Sequence, residues 1–381
     1  IGIVASGGEG SGLPTIRELG KLGCKLYLFI KERNSPICFS KYLNGGLYKI
    51  PSDKSKIVNS VLSTCLQKGI EYIIFLDEEI KYQFVLKKDL MRNIKFALPS
   101  QKSYEIALKK HKSTQFAEKM GIPVPKTIRV NNIGDLTDLR SSLIYPLVVK
   151  GERGDSSSHV RYAHNFEQLK RYFTEIFNIE KQMDSASPPP MIQEYIGGPT
   201  YLTQALSQKG TVKIVIPHYK FREWPLTGGV SSRVKTILEP RLVKYMETML
   251  EGLNWHGEAG MEWKYDSVRD DFFFMEMNPR FEGSLDLAIK AGVNLPKLLI
   301  DIINKKELSN KLSYRPSVHY RWFFRYDFRC FLHNEYSIFI LLKESLDPRI
   351  NGEISIDDLS LVRAFWKNPL SEIKNFIRDS A

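Results

Sequence analysis

The stretch Phe272–Ser284, FFFMEMNPRFEGS, determines much of the expected fold and chemistry of this chain. It begins with consecutive aromatic and apolar residues, which is typical of a buried strand. Glu276 and Asn278 are two residues apart, so on a strand their side chains share one face. Pro279 cannot continue a central strand, and Arg280 follows it directly. An acid, an amide and a guanidinium are therefore expected together at one strand end, as in a ligand site.

A second strand is predicted directly upstream, at Gly257–Asp266, where the side chains alternate between two faces. The polar turn after it predicts an antiparallel hairpin about Arg269. A regular ladder through that turn places Glu262 opposite Glu276 and Asp266 opposite Phe272.

The facing pair Glu262 and Glu276 has Cβ atoms expected roughly 5 Å apart, where like charges repel unless a cation lies between them. With the amide oxygen of Asn278 they form a set of hard oxygen ligands of the sort that Mg²⁺ prefers, with positions left for phosphate oxygens; Mn²⁺ is an alternative. An exposed hairpin with solvated acids is the other interpretation of the same residues.

Composition indicates a protein of two or three domains, since 381 residues exceed one compact core. The net charge of +12 favours anionic ligands, but no nucleic-acid-binding motif accompanies it, so nucleic acid is not expected as a partner. Four scattered cysteines, no membrane-spanning apolar run and no signal-peptide pattern predict a cytoplasmic protein without a membrane partner.

The first hundred residues alternate strand and helix patterns, which predicts a parallel sheet. Strands are expected at residues 1–5, 25–30 and 70–76, and helices at 13–22 and 54–68. The glycines near residue 10 do not fit the dinucleotide-binding spacing, so that function is only weakly indicated.

The next segment predicts a single helix over residues 100–120 and a strand at 145–150 that ends in Lys150. The loop GERGDSSSH follows, and small side chains let backbone N–H groups approach an anion. A helix at 165–177, a surface linker at 178–190 and a strand at 191–196 are expected next. Together, Lys150 and this loop support two interpretations equally: a phosphate-binding loop and an ordinary surface loop.

Two later segments carry arginines. The loop over residues 222–233 holds two of them beside hydroxyl groups, which suits a carboxylated substrate. Arg321, Arg325 and Arg329 recur every four residues, which on one helix forms a basic stripe beside an aromatic face. Core packing with a solvated edge and a partner or substrate contact both remain open for this stripe.

With these parts in order, residues from about 100 to 304 resemble the ATP-grasp fold. The matching segments are KKHKSTQFAEKMGIPVPKT (109–127), YPLVVKGERGDSSSHV (145–160), MIQEYIGG (191–198), GMEWKYD (260–266) and FFFMEMNPRFEGS (272–284). The run HYKFREWPLTGGVSS (218–232) resembles carboxylate–amine ligases and members similar to carbamoyl-phosphate synthase. Thr200 departs from the pattern, because a ribose-binding glutamate is often found near that position.

The resemblance implies ATP and Mg²⁺ as cofactors and assigns a role to each matching residue. The implied metal ligands are Glu262, Glu276 and Asn278. The implied ATP contacts are Lys112, Lys150, Ser156, Ser157, Gln193, Glu194, Tyr195 and Ile196. The implied catalytic residues are Arg280 and Arg222, and the implied substrate contacts are Arg222, Ser231, Ser232, Arg233, Arg280 and Ser284.

The implied architecture is α/β and α+β: a Rossmann-like pre-ATP-grasp domain (1–100), a small lobe with the glycine and serine loop (101–196), a large lobe with the ATP site (197–304) and an aromatic, basic C-terminal extension (305–381). The implied activity joins a carboxylate, activated as an acyl phosphate, to an amine. The partners are then small molecules, with a homodimer as an open option. Bicarbonate activation and a non-catalytic ATP-binding regulator or scaffold are the alternatives.

Overall fold

The computed structural model describes residues 1–7, 10–91, 93–152, 159–225, 228–309 and 312–367, the side chains of residues 325 and 365–367 excepted. Within those ranges, no helix is long and apolar enough to cross a membrane.

The first hundred residues form a parallel sheet in the order β3-β2-β1-β4. Asp53 caps the second helix through Ser55 N–H, and Gly69 ends it at a φ of 64°, which glycine adopts without strain. The elements are β1 (Gly2–Ala5), α1 (Gly12–Lys21), β2 (Tyr27–Ile30), β3 (Gly46–Lys49), α2 (Lys54–Lys68), β4 (Ile73–Phe75) and α3 (Glu78–Leu86), with 3₁₀ turns at Pro36–Phe39 and Lys88–Leu90.

The single helix predicted over residues 100–120 is wrong, because two helices occupy that segment. They are α4 (Gln101–Leu108) and α5 (Lys110–Lys119). Lys109 between them has extended backbone, with φ −96° and ψ 114°. The break interrupts the helical periodicity at Lys109, and this changes which lysines face inward.

A small lobe follows, with a sheet in the order β5-β8-β6-β7. Its longest helix runs six residues further than predicted, so the expected linker at 178–190 begins as helix. The elements are β5 (Thr127–Ile128), α6 (Ile133–Asp138), β6 (Leu147–Lys150), β7 (Val160–Ala163), α7 (Phe166–Met183) and β8 (Met191–Glu194), with a 3₁₀ turn at Arg140–Ser142.

A larger sheet in the order β13-β12-β9-β10-β11-β14-β15 forms the rest of the molecule. Its strands are antiparallel except for the β14–β15 pair. The elements up to residue 304 are β9 (Thr200–Gln208), β10 (Thr211–Trp224), β11 (Val230–Thr236), α8 (Pro240–Gly252), β12 (Gly257–Asp266), β13 (Asp271–Asn278), α9 (Leu285–Lys290) and α10 (Leu295–Ile303).

The hairpin of β12 and β13 pairs Glu262 with Glu276, as the alternation predicted. The predicted pairing of Asp266 with Phe272 is wrong by one residue, because Asp266 pairs with Asp271. The register shifts next to Glu262, since Trp263 pairs with Phe274 and Met275 is the extra residue of a β-bulge.

The C-terminal extension adds to the large sheet and then turns back to the first. The continuous helix predicted for its arginines is wrong, because Arg321 ends a strand and a π-helical turn at Phe323–Asp327 follows. The elements are β14 (His319–Arg321), α11 (Phe328–Leu332), α12 (Ile338–Leu346), β15 (Ile350–Gly352) and α13 (Ser360–Lys367).

The hydrophobic core is continuous between the first sheet and the large sheet. Phe29 and Phe84 belong to the same buried cluster as Trp255 and Trp263. The small lobe has a separate core, which includes Leu147, Phe173 and Ile192. The first and large sheets therefore form one packed body, beside which the small lobe is attached.

Candidate ATP and metal site

A cleft of about 740 Å³ lies where the small-lobe sheet, the large sheet and the first sheet meet. This volume is within the range that small-molecule sites occupy. Its walls include Lys150 of β6, Glu262 of β12 and Glu276 of β13. Ser6 and Glu78, which follow the ends of β1 and the β4 segment, also line it.

The carboxylates of Glu262 and Glu276 face each other across the hairpin, and each has a lysine nearby. Lys220 Nζ lies 3.8 Å from Glu262 Oε2, and Lys110 Nζ lies 3.6 Å from Glu276 Oε2. Burial, and secondarily the charge of Glu276, raise the pKa of Glu262 despite Lys220. Burial opposes ionisation of Glu276 too, but Lys110 and Lys150 lower its pKa.

Asn278 completes this end of the hairpin. Its Nδ2 donates a 2.8 Å hydrogen bond to Glu282 Oε1, which leaves its amide oxygen for the cleft that it lines. Glu282 lies in the space above Gly260, where any Cβ would meet its carboxylate. Burial raises the pKa of Glu282. No group of three or more His, Cys, Asp or Glu side chains converges as a metal site in the described ranges.

Those residues nevertheless suit Mg²⁺, which proteins usually hold with one or two carboxylates while phosphate oxygens and waters fill the other positions. Glu262, Glu276 and the oxygen of Asn278 provide such a donor set, and two lysines already compensate its charge.

Lys150 lies at the end of β6, as predicted, and it lines the cleft. Its Nζ is 4.0 Å from the Sδ of Met275. Because Met275 is the bulged residue, it joins Glu276 on the cleft side of β13. Burial lowers the pKa of Lys150, although Glu276 acts in the opposite direction.

Lys112 does not lie at the cleft, contrary to its assignment as an ATP contact. It extends from α5 toward Glu105, with Nζ 3.8 Å from Oε2, and its side chain is 37% exposed. Lys110 lines the cleft instead. The helix break at Lys109 sets this orientation, which a continuous helix could not reveal.

The predicted purine edge, Gln193–Ile196, lines the cleft throughout. Gln193 Nε2 donates to Thr127 Oγ1 at 3.1 Å. Glu194 accepts two 2.9 Å hydrogen bonds from Arg269, so its carboxylate is already engaged. Thr200, where an acid is often found, lies in the same wall.

Arg280 and Ser284 line the cleft beyond the hairpin. Arg280 Nε is 3.1 Å from Glu78 Oε2, which connects the site to the first sheet. Ser284 Oγ lies 2.8 Å from Nε2 of His218, and His218 Nδ1 lies 3.1 Å from the carbonyl of Ile216. Burial lowers the pKa of His218 to about 4, so its ring is neutral at neutral pH.

Neither Arg222 nor Arg233 lines this cleft, contrary to their assignment as substrate contacts, although Arg222 lines a smaller cavity beside it with Lys220 and Glu223. Arg222 Nε lies 2.7 Å from Asp327 and its Nη2 lies 2.5 Å from Glu344, while Arg233 pairs with Glu344 as well. Burial alone lowers the pKa of Arg222, but the bonds to Glu344 and Asp327 raise it overall.

The remaining predicted contacts divide three ways. Ser231 lines the cleft. Ser232 is buried and donates to Asp327 Oδ1 at 3.2 Å, so it belongs to the arginine cluster. Ser156 and Ser157 lie outside the described residues.

Sequence reasoning missed Lys220 and Glu223 of β10, which both line the cleft. Lys220 Nζ is 2.6 Å from Glu223 Oε2 and donates to the carbonyl of Gly229 at 2.9 Å. A signal was present, because Lys220 follows the apolar run of this strand and has Glu223 three residues later, and a buried lysine requires a charged partner.

The three-part cleft, with facing acids on one sheet and a lysine on another, has the arrangement of an ATP-grasp fold. Residues 186–324 match the family model described as ATP-grasp in the biosynthetic pathway with Ter operon. Over those residues the chain therefore has the sequence features of an ATP-grasp domain.

Two relatives are similar in sequence over about half of this chain. The large chain of carbamoyl phosphate synthase from Clostridium acetobutylicum is 22% identical over 56% of this chain and 20% of its own length. The C-terminal section of that large chain from Methanopyrus kandleri is 24% identical over 52% of this chain and 38% of its own. The chain thus spans well under two thirds of these relatives.

Solved structures support the fold. Biotin carboxylase from Campylobacter jejuni in complex with β-γ-ATP superposes with a TM-score of 0.68 at 17% identity, covering 84% of this chain and 74% of that one. An L-amino acid ligase from Bacillus licheniformis gives 0.66 at 17% identity, covering 84% and 77%. Identities this low establish the shared fold alone.

Proposed function

We propose that this protein is an ATP-dependent ligase that joins a carboxylate to an amine and releases ADP and phosphate. A carboxylate oxygen forms a bond to the γ-phosphorus of ATP as the bond to the β–γ bridging oxygen breaks, which gives an acyl phosphate and ADP. The amine nitrogen then bonds to the acyl carbon, the carbon–oxygen bond to phosphate breaks, and the amine loses a proton.

The observation that carries this proposal is the facing pair Glu262 and Glu276 in one cleft with Lys110 and Lys150. Phosphoryl transfer requires positioning and charge neutralisation more than a covalent group on the protein. Positive side chains from α5 and β6 reach a negatively charged hairpin end, so a polyphosphate between them meets both kinds of group.

Each residue then has a role. Glu262, Glu276 and Asn278 hold Mg²⁺, which when bound neutralises the charge of the β- and γ-phosphates. Lys110 and Lys150 balance phosphate charge, and Gln193–Ile196 border the purine. Arg280 is the catalytic residue that faces the transferred phosphoryl group or the acyl phosphate, with Glu78 holding its orientation.

The finer architecture is part of the same proposal. Residues 1–100 act as the Rossmann-like pre-ATP-grasp domain, 101–196 and 197–304 as the two lobes that hold ATP, and 305–381 as the C-terminal extension. A cytoplasmic location and a homodimer stay predictions, the second of which sedimentation of the purified chain can test.

A paired screen tests the activity. The purified chain is given MgATP and a matrix of carboxylic acids and amines, and ADP, phosphate and product masses are measured. The proposal expects ADP release that needs both substrates, and a product with the mass of acid plus amine less one water. Glu276→Gln should lower turnover about 10²–10³-fold, as loss of a charge-stabilising group does. Glu251→Gln, on the exposed side of α8, is the matched control.

Bicarbonate activation is a second candidate, favoured by the carbamoyl phosphate synthase relatives. It predicts ADP release with bicarbonate alone, without an organic acid. A non-catalytic ATP-binding regulator or scaffold, suggested by Thr200 and the extension, predicts nucleotide binding without turnover across the whole matrix.

A further inference from the structure

One part of the cleft wall consists of residues assigned to neither the nucleotide nor its metal. It lies next to the turn that follows Arg280, since Glu78 contacts Arg280 and Trp322 packs with Leu287 of α9. Ser231 of β11 lines this part, together with Trp322 and Tyr326 of the C-terminal extension. Asp77 and Glu78, at the carboxyl edge of the first sheet, line it as well. The extension is therefore part of the cleft wall as well as an addition to the large sheet.

The aromatic part of this wall is fixed by the large sheet. The backbone N–H of Trp322 donates to the carbonyl of Ser232 at 2.9 Å, and the centre of the Trp322 ring lies 4.6 Å from that of Tyr320. Tyr326 packs against both aromatic clusters of the extension. Among the described residues, neither the Trp322 indole N–H nor the Tyr326 hydroxyl forms a hydrogen bond, so both polar tips can serve a ligand.

The buried charges behind this wall hold it in place. Asp327 directly follows Tyr326 and is fully buried, where it pairs with Arg222 and Arg321. Since Arg222 lies on β10, this cluster joins the aromatic turn to the strand that carries Lys220 and Glu223. The position of Tyr326 is thus set by the same strand that lines the phosphate end of the cleft.

The acids at this end of the cleft carry negative charge, in contrast to the lysines at the phosphate end. Asp77 accepts the N–H of Ile80 with Oδ1 as the cap of α3, and Glu78 lies beside Arg280. Carboxylates and aromatic faces both attract an ammonium group, and aromatic faces also pack against apolar carbon. An anionic substrate is instead drawn to Arg280 and the lysines.

From these contacts we propose that this end of the cleft is the amine subsite, and that the amine carries an apolar or aromatic body that packs against Trp322 and Tyr326. Asp77 receives its ammonium group before the proton is lost, while Glu78 stays paired with Arg280. This inference rests on the proposed ligase function and adds the class of the acceptor.

Binding is measured first, because it requires no turnover. Protein saturated with MgADP is titrated with benzylamine, and with benzyl alcohol as the neutral analogue, by calorimetry. We expect benzylamine to bind at least tenfold more tightly than the alcohol. Tyr326→Leu should weaken the binding of benzylamine about tenfold. Phe324→Leu, which replaces a 61% exposed ring in the same turn, should leave that affinity unchanged. Asp77→Asn keeps the helix cap and should remove the preference for the amine.

Turnover gives the second measurement. With an acid that supports ADP release, hydroxylamine traps the acyl phosphate as a hydroxamate, and benzylamine gives an amide. Tyr326→Leu should raise the KM for benzylamine about tenfold and affect hydroxamate formation far less. Equal binding of benzylamine and benzyl alcohol, or equal loss of both products in Tyr326→Leu, would overturn the subsite. If no acid supports ADP release, the ligase proposal fails, and the calorimetric comparison still decides whether an amine binds here.

Discussion

Lys110 and Lys112 lie two residues apart on one short helix, and the direction of each side chain decides which of them reaches the site. Lys110 and Lys112 both follow the helix break, but only Lys110 is near Glu276, while Lys112 pairs with Glu105. Lys110→Ala should raise the Kd of MgATP at least about tenfold, because a hydrogen bond to a charged group is lost. Lys112→Ala should leave that Kd unchanged. Calorimetric titration of both variants measures this, and an equal effect would return Lys112 to the site.

A pH dependence should arise from His218, whose pKa is about 4 in the folded protein because it is buried. An unfolded histidine titrates near pH 6.5, so between about pH 6.5 and 4 only the unfolded chain takes up this proton. The stabilisation is thus complete above pH 6.5 and is lost as the pH falls. Relative to His218→Gln, the wild-type free energy of unfolding should drop by about 2 kcal/mol from pH 7 to 5. Urea unfolding at both pH values tests this, and a constant difference would contradict it.

At the scale of the element, the predicted ladder placed Glu262 opposite Glu276 correctly although it was wrong by one residue nearer the turn, because the bulge at Met275 offsets that error. The bulge at Met275 was not predictable, since a methionine between Phe274 and Glu276 suits either face of the strand. Likewise no capping signal marked Lys109 as the break between α4 and α5. The two strands of this hairpin were therefore accessible from the sequence, whereas their full register and the local irregularities were not.

The contact of α3 with β12 depends on a buried ion pair. Lys81 Nζ lies 2.5 Å from Glu258 Oε1 and donates to the carbonyl of Pro279 at 2.9 Å, with both side chains nearly inaccessible. Lys81→Met should cost about 3–5 kcal/mol of unfolding free energy, because an unpaired carboxylate is left buried. The double variant with Glu258→Leu should lose less, since no isolated charge remains. Denaturant titration compares them; a double variant less stable than Lys81→Met would refute this reasoning.

At the scale of the whole molecule, the arginines of the 222–233 segment show why sequence reasoning stopped short. Their partners Asp327 and Glu344 are about a hundred residues away in the chain, and nothing in the local pattern indicated that an added strand would bring them together. A loop arginine and a buried structural arginine look alike in sequence. Periodicity indicated the shared face of Glu276 and Asn278, but it did not reveal Lys220 and Glu223 on β10, and the long-range pairs depend on how the extension folds back.

The separate core of the small lobe leads to a prediction about the molecule as a whole. Lys150 and Gln193 belong to the lobe with its own core, whereas Glu262 and Glu276 belong to the large sheet, so a nucleotide that contacts all four joins two bodies. Binding to the folded state alone stabilises every element it connects, and opening of those elements then becomes rarer. MgADP should therefore slow amide exchange in β6 and β8 of the lobe together with β13, and leave α2 unchanged as the internal control. Hydrogen exchange is measured by mass spectrometry. If exchange slows in only one of the two sheets, the nucleotide does not bind between Lys150 and the facing glutamates.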